Sequence, residues 1–301
     1  MNFQSEIFYV ELGMKKVCIM PNWGMSIKQM MDEYKKLSPG EMMRWGDFEL
    51  VDDPTVADYQ IVMDGSTQPI DSSKVIFFGR EPSHVGLSLW PDSMCRRVYH
   101  HEIRNSWNGV TWWLNLNHDQ LTSLKNFDKR KNLSIIDSGK CWFDGHRSRV
   151  NLINQLADDY PHDVEIWGHI TSGRENSGPF RSSLPHKQKD QGLIQYRYNL
   201  SIENGAVDYY FSEKFADPLL CWTMPIYWGC PNIEKFFPSN SFVRVDVENP
   251  HAKDKIIEIS KSNLREENLG AIEEARHLLL TKYSLFPTIE AAINNTLRVP
   301  K

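Results

Sequence analysis

Residues 196–243, YRYNLSIENGAVDYYFSEKFADPLLCWTMPIYWGCPNIEKFFPSNSFV, decide the fold. The stretch opens with a short apolar strand and runs into Glu203-Asn204. It then crosses a loop with Gly205 and two tyrosines, enters a helix near Ser212-Glu213-Lys214, and returns as a second strand, Met224 to Trp228, closed by Gly229. Strand, loop, helix and strand at this spacing predict a right-handed parallel crossover, with the loop and the helix N-terminus at the carboxyl edge of the sheet. Open α/β domains bind their ligands at that edge.

The residue types there suit a ligand that carries both phosphate and sugar. A helix N-terminus with free N–H groups, joined by Lys214 in the first turn, favours a diphosphate. Glu213 opposes phosphate but accepts hydrogen bonds from sugar hydroxyls, and Asn204 offers a donor and an acceptor to a ribose or base. Taken alone, Ser212-Glu213-Lys214 reads as a helix cap with an acidic first turn. The ordered forty residues around it turn the reading toward a nucleotide sugar.

Outward from this stretch the chain reads as alternating strands and helices. Residues 16–20 (KVCIM), 59–63 (YQIVM) and 74–78 (KVIFF) are apolar strands bounded by turns, and residues 27–37 place Met30, Met31, Tyr34 and Leu37 at helical spacing. A second series begins at 133–136 (LSII). It continues into a helix whose Val150, Ile153, Leu156 and Ala157 share a face, a strand at 164–167, a polar loop over 171–191, a strand at 242–247, and helices over 253–262 and 269–283. The length of the 171–191 loop suggests mobility or a role at a cleft. The expectation is an α/β protein of two units, an N-terminal unit over 1–130 and a nucleotide-sugar unit over 131–301, whose last helix is free to pack back on the first.

Composition narrows the function classes. With 41% apolar and 24% charged residues and a formal net charge of −5, the 301-residue chain offers no long-range attraction for nucleic acid or anionic membrane. Five cysteines, never closer than nine residues, suggest neither a disulfide framework nor a CxxC metal site, and predict reduced thiols in a cytosol-like compartment. The first residues lack the basic start and apolar core of a signal peptide, and no run approaches the ~18 apolar residues of a membrane span. The closing LFPTIEAAINNTLRVPK is only weakly basic and gives little support to peripheral membrane association.

The 196–243 stretch resembles the donor-binding motif of the α-1,3/1,4-fucosyltransferases, glycosyltransferase family 10. That pattern runs apolar strand, Glu-Asn, an aromatic loop, Thr-Glu-Lys, amphipathic helix, then Pro-Ile/Val-Tyr/Val-x-Gly. Glu203-Asn204, Tyr210, Ser212-Glu213-Lys214 and Pro225-Ile226-Tyr227-Trp228-Gly229 follow it. Ser212 replaces the usual threonine and keeps the hydroxyl; Pro218 removes a helical donor. Upstream, Ser138-Gly139-Lys140 and the 145–150 run GHRSRV resemble the start of the family's second domain, where an arginine contacts the donor diphosphate; Arg149 matches best, with Arg147 as its local competitor. Phe77-Phe78-Gly79-Arg80-Glu81-Pro82 resembles the place where the family carries its proposed general base.

The resemblance implies a GT-B fold, two Rossmann-like domains facing a central cleft. It implies an inverting transfer of L-fucose from GDP-fucose to a hydroxyl of an acceptor glycan, with Glu81 as base and Arg149, Asn204, Tyr210, Glu213 and Lys214 on the donor. His84, His101 and Trp107 fall in an aromatic and imidazole-rich stretch assigned to the acceptor side. No DxD motif stands out and His100-His101-Glu102 lacks the H-E-x-x-H order, so the expectation is a metal-independent enzyme without a cofactor. A cytoplasmic enzyme of bacterial or viral type, building a surface glycan, is the natural inference. Two rivals stay open: the same chemistry with another donor such as UDP-xylose, and a non-catalytic nucleotide-sugar or carbohydrate-binding module.

Overall fold

The computed structural model describes residues 13–22, 24–82, 94–100, 105–137, 144–168 and 178–298. Its strands form two separate sheets. The first has the order β2-β3-β1-β4-β5-β6, built from β1 (Lys15–Ile19), β2 (Arg44–Trp45), β3 (Phe48–Leu50), β4 (Tyr59–Met63), β5 (Val75–Gly79) and β6 (Arg97–His100). All its pairings are parallel except β2 with β3. The second is wholly parallel, in the order β11-β10-β9-β7-β8, built from β7 (Lys131–Asp137), β8 (Val164–Gly168), β9 (Tyr196–Ile202), β10 (Met224–Trp228) and β11 (Val243–Arg244).

Both parallel sets run second-first-third-fourth-fifth, so each has a switch point beside its first strand: between β1 and β4 in one lobe and between β7 and β9 in the other. A crevice opens at the carboxyl ends of strands on either side of such a point. Val75–Gly79 is buried at every position and Tyr196–Ile202 at all but Arg197, as strands covered on both faces must be. The predicted crossover is present: β9 pairs in parallel with β10 from Tyr198↔Met224 to Ile202↔Trp228, joined through the Glu213–Leu220 helix.

Local differences from the sequence reading have local causes. The Ile27–Tyr34 helix, capped by a reciprocal Ser26–Gln29 box, ends before Leu37, which sits in a separate 3-10 turn. β2 and β3 form a hairpin through Gly46 at φ 50°, a turn that one hydrophobic residue in β2, Trp45, and two in β3, Phe48 and Leu50, hardly announce. The strand expected over 242–247 shortens to Val243–Arg244 at the sheet edge, and the 269–283 helix passes into a π turn, Leu279–Tyr283.

The last helix, Leu285–Ile293, crosses to the first lobe. Phe286 stacks on Phe48 with centroids 5.7 Å apart, and Arg97 donates to the Ile293 carbonyl at 2.9 Å. Trp107, expected on the acceptor side, lies in this seam. It is 3% exposed, its indole N–H donates to Thr288 Oγ1, and it packs edge-on against Phe236 and Tyr283. Its position is that of a core aromatic with a satisfied polar atom. Among the described residues no helix is long and apolar enough to cross a membrane.

Candidate active site

The site is assembled where strands of the two sheets end. β9 delivers Glu203 and Asn204, and the loop beyond them delivers Tyr210 to the first turn of the Glu213–Leu220 helix. Ser212 caps that helix, accepting from the Lys214 N–H at 3.2 Å. Glu203 is fully buried and accepts from both the backbone N–H and the hydroxyl of Ser212, at 2.8 and 2.6 Å. Strand end and helix start are therefore one hydrogen-bonded unit. Gly229 closes β10 against it: a Cβ there would stand 2.5 Å from both Glu203 Cγ and the Tyr227 hydroxyl, so the backbone approaches this closely only as glycine.

Charge is concentrated at this helix start. Lys214 Nζ lies 3.3 Å from Glu213 Oε1 and 3.9 Å from Glu203 Oε2. Lys189, from the polar loop before β9, reaches the same Glu213 oxygen at 3.2 Å and Asp217 at 3.6 Å. Burial works against ionising Glu213, but the Lys189 and Lys214 ammonium groups beside it hold its carboxyl well below the usual carboxylate range. Burial likewise opposes the charge on Lys214, which Glu213, Glu203 and Glu81 nevertheless raise above the ordinary lysine value. Among the described residues Glu203 has Lys214 only at 3.9 Å, and burial pushes it up to about 7; the same cause takes Asp217 to about 7.

On the other side of the β7–β9 switch point, the Asp144–Asp159 helix carries Arg149, 5% exposed, whose Nε lies 3.3 Å from Asp137 Oδ1 at the end of β7. Gly168 ends β8 at φ 108°, where a Cβ would meet the Asp137 carbonyl oxygen at 2.0 Å. The neighbouring strand ends are thus drawn together beneath the arginine.

Glu81 enters from the first lobe, two residues past β5. The turn that carries it is fixed by Asp64, 7% exposed, which accepts from the Arg80 backbone N–H at 2.6 Å and from its guanidinium at 3.2 Å. Glu81 then meets the second lobe directly: its Oε2 accepts from Asn204 Nδ2 at 3.2 Å and from the Tyr210 hydroxyl at 3.3 Å. Tyr210 is 1% exposed, and burial raises its pKa well above the ordinary tyrosine value, so the hydroxyl keeps its proton and donates.

The structure brings together Glu81, Asn204, Tyr210, Glu213 and Lys214, and puts Arg149 on the β7 side of the same switch point. His84 and His101 lie outside the described residues, as do Ser138, Gly139 and Lys140; Trp107 is in the core. Among the described residues there is no group of three His, Cys, Asp or Glu side chains that could hold a metal ion. Three further residues of the site, Glu203, Asp217 and Lys189, carry no role that the sequence alone assigns. A buried acid inside the apolar run FADPLL was a readable signal for Asp217. Lys189 had none, because its partners are reached only through the tertiary fold.

Three comparisons with known proteins bear on the chain. Residues 128–259 match the model of the glycosyltransferase family 10 (fucosyltransferase) C-terminal region. A segment is 41% identical over 70 residues to an alpha-(1,3)-fucosyltransferase of Helicobacter pylori, covering 23% of this chain and 15% of that protein. Another is 34% identical over 80 residues to the GDP-fucose protein O-fucosyltransferase 3 of Xenopus tropicalis, covering 27% and 17%. The matches thus span less than a fifth of these relatives' lengths. An alpha-glucosyltransferase solved with UDP and a 13-mer DNA superposes with a TM-score of 0.57 at 9% identity, over 95% of this chain and 100% of that one. This likeness, together with the two largely parallel sheets, makes the fold GT-B.

Proposed function

We propose, from the match of residues 128–259 to the model of the glycosyltransferase family 10 (fucosyltransferase) C-terminal region, that the chain transfers L-fucose from GDP-fucose to an acceptor hydroxyl with inversion. In this reading the second lobe, 131–301, holds the donor. Lys214 and Arg149 face the diphosphate, where their charge stabilises the leaving group as the glycosidic C–O bond breaks. Glu213 accepts hydrogen bonds from the sugar. Glu81 takes the proton of the acceptor hydroxyl, whose oxygen attacks the anomeric carbon while the electron pair of the broken bond leaves with GDP. The lobe of 1–130 presents the acceptor.

The observation that carries the reading is the contact of Glu81 with Asn204 and Tyr210 across the cleft. A carboxylate from one lobe is held within reach of the helix start that bears Glu213 and Lys214 on the other. Fucose as the sugar is supported by the family matched and by the donor named in the Xenopus relative. The acceptor divides into two readings for the same reason: one relative is an alpha-(1,3)-fucosyltransferase, the other modifies protein. A glycan hydroxyl is the first reading and a protein hydroxyl the second.

A thermal-shift panel with GDP, GDP-fucose, UDP and UDP-sugars tests the donor, since a ligand that binds only the folded state raises its stability. Preferential stabilisation by UDP or a UDP-sugar counts against GDP-fucose. Binding of GDP-fucose without transfer or donor hydrolysis, across glycan and peptide acceptors, favours a binding module instead.

A further inference from the structure

Lys189 opens a short 3-10 turn, Lys189–Gly192, at the junction of the two lobes, and main-chain bonds fix where its side chain starts. Its N–H donates to the Trp113 carbonyl at 2.9 Å, the next residue, Asp190, accepts from the Asn115 N–H at 2.8 Å, and Asp217 accepts from the Trp113 N–H at 3.1 Å. The side chain, 16% exposed, runs over the Trp113 ring with its ammonium 4.9 Å from the centroid. It ends between Glu213 and Asp217, which stand one turn apart on one helix and so present their carboxylates to one cation.

Glu213 Oε1 is shared by two ammonium groups, Lys189 at 3.2 Å and Lys214 at 3.3 Å. If Lys214 is drawn to a diphosphate, Glu213 loses one counter-charge in a place where its side chain is only 17% exposed. A secluded carboxylate without a cation takes up a proton and becomes a poorer acceptor.

We propose that Lys189 is a positioning residue for Glu213: it keeps that carboxylate charged and oriented toward the sugar when Lys214 turns to the phosphates of the donor. The inference rests on the donor-site reading of Glu213 and Lys214 and adds a separate cation to it. Because Lys189 acts through a residue that faces the sugar, its removal is felt by GDP-fucose and not by GDP.

The test is calorimetric binding of GDP and of GDP-fucose to the full chain carrying Lys189→Met, Lys189→Arg, Glu213→Gln, or Lys189→Met with Glu213→Gln. Lys189→Met is expected to weaken GDP-fucose about tenfold or more and to leave GDP within about twofold. Lys189→Arg restores most of the loss, and the double variant is no weaker than Glu213→Gln. Equal loss of both ligands in Lys189→Met overturns the proposal, since it reduces Lys189 to a support of the lobe junction. Losses that add in the double variant overturn it too. Wild-type binding of GDP-fucose by Glu213→Gln instead sinks the donor-site reading on which it stands. Should Lys189→Met fail to fold, Lys189→Gln takes its place, and wild-type GDP-fucose binding by that variant is equally fatal.

Discussion

The Tyr210 hydroxyl donates to Glu81 Oε2 across the cleft at 3.3 Å, joining a loop of the second lobe to the strand end of the first. With Asn204 on the same oxygen, the carboxylate is oriented by the lobe that is proposed to carry the donor. Asn204 and Tyr210, expected from the family resemblance on the donor itself, hydrogen-bond in this arrangement to the proposed base. Tyr210→Phe keeps the ring and removes one charge-assisted hydrogen bond, a change of about 1.5–3 kcal/mol. The expected result is a kcat roughly ten- to a hundredfold lower with the KM for GDP-fucose nearly unchanged, read in steady-state transfer assays. A rise in that KM at constant kcat would return Tyr210 to the donor.

Removal of the proposed diphosphate cations has the opposite signature. Lys214→Ala is expected to weaken GDP itself by about tenfold or more, as measured by calorimetry. Arg149→Lys keeps the charge but loses the planar fork, so its loss is smaller than that of Arg149→Met. Unchanged GDP affinity in both Lys214→Ala and Arg149→Met would remove the proposed clamp.

Glu203 predicts a pH dependence of stability. Its folded pKa, about 7, lies above the ordinary 4.5, so the folded state binds more protons between those values. The stability it contributes is complete below about 4.5 and is lost as pH rises through about 7. Asp217 acts in the same direction from 3.8 to about 7, while Glu213, held low, contributes stability that is lost only in more acid solution. Denaturant titrations of Glu203→Gln at pH 5 and pH 8 should show a smaller difference than wild type, with on the order of 3 kcal/mol as the upper limit of the effect. An identical slope would mean that Glu203 is not protonated in the folded state. Glu203→Ala, which strands the Ser212 N–H and hydroxyl, should cost about 1–3 kcal/mol at either pH.

An aromatic cluster supports the helix from behind. Phe215 is fully buried, with centroids 4.8 Å from Tyr227, 5.0 Å from Phe237 and 5.4 Å from Phe242. Phe215→Ala is expected to cost about 3–5 kcal/mol through lost burial and the cavity left behind, measured as a shift of the denaturation midpoint. A cost under about 1 kcal/mol would show that the helix is held by its cap and charges alone.

The parallel crossover was legible in 196–243 because three independent patterns agree there: apolar strands of the right length, a capping serine, and a closing glycine. The seam between the lobes was not. Trp107 reads as a sugar-facing aromatic until its indole N–H is seen on Thr288, 181 residues away, and no local period reports such a distance. The β2–β3 hairpin was missed because two- and three-residue strands carry too little alternation to stand out. Among the site residues, Glu81 and the Glu-Lys pair could be found by resemblance. Lys189, which helps hold Glu213 charged, and Asp217, which the same lysine reaches, come from a loop and a buried helix face that meet only in the folded chain.

The central claim is that Glu81 is the base of a fucosyl transfer, and Glu81→Gln tests it while keeping the side-chain shape. GDP-fucose binding is measured by calorimetry beside single-turnover transfer to an acceptor that the wild-type chain fucosylates. The prediction is donor affinity within about threefold of wild type and a transfer rate lower by roughly 100- to 10,000-fold. Transfer at the wild-type rate by the folded, donor-bound variant would contradict the account.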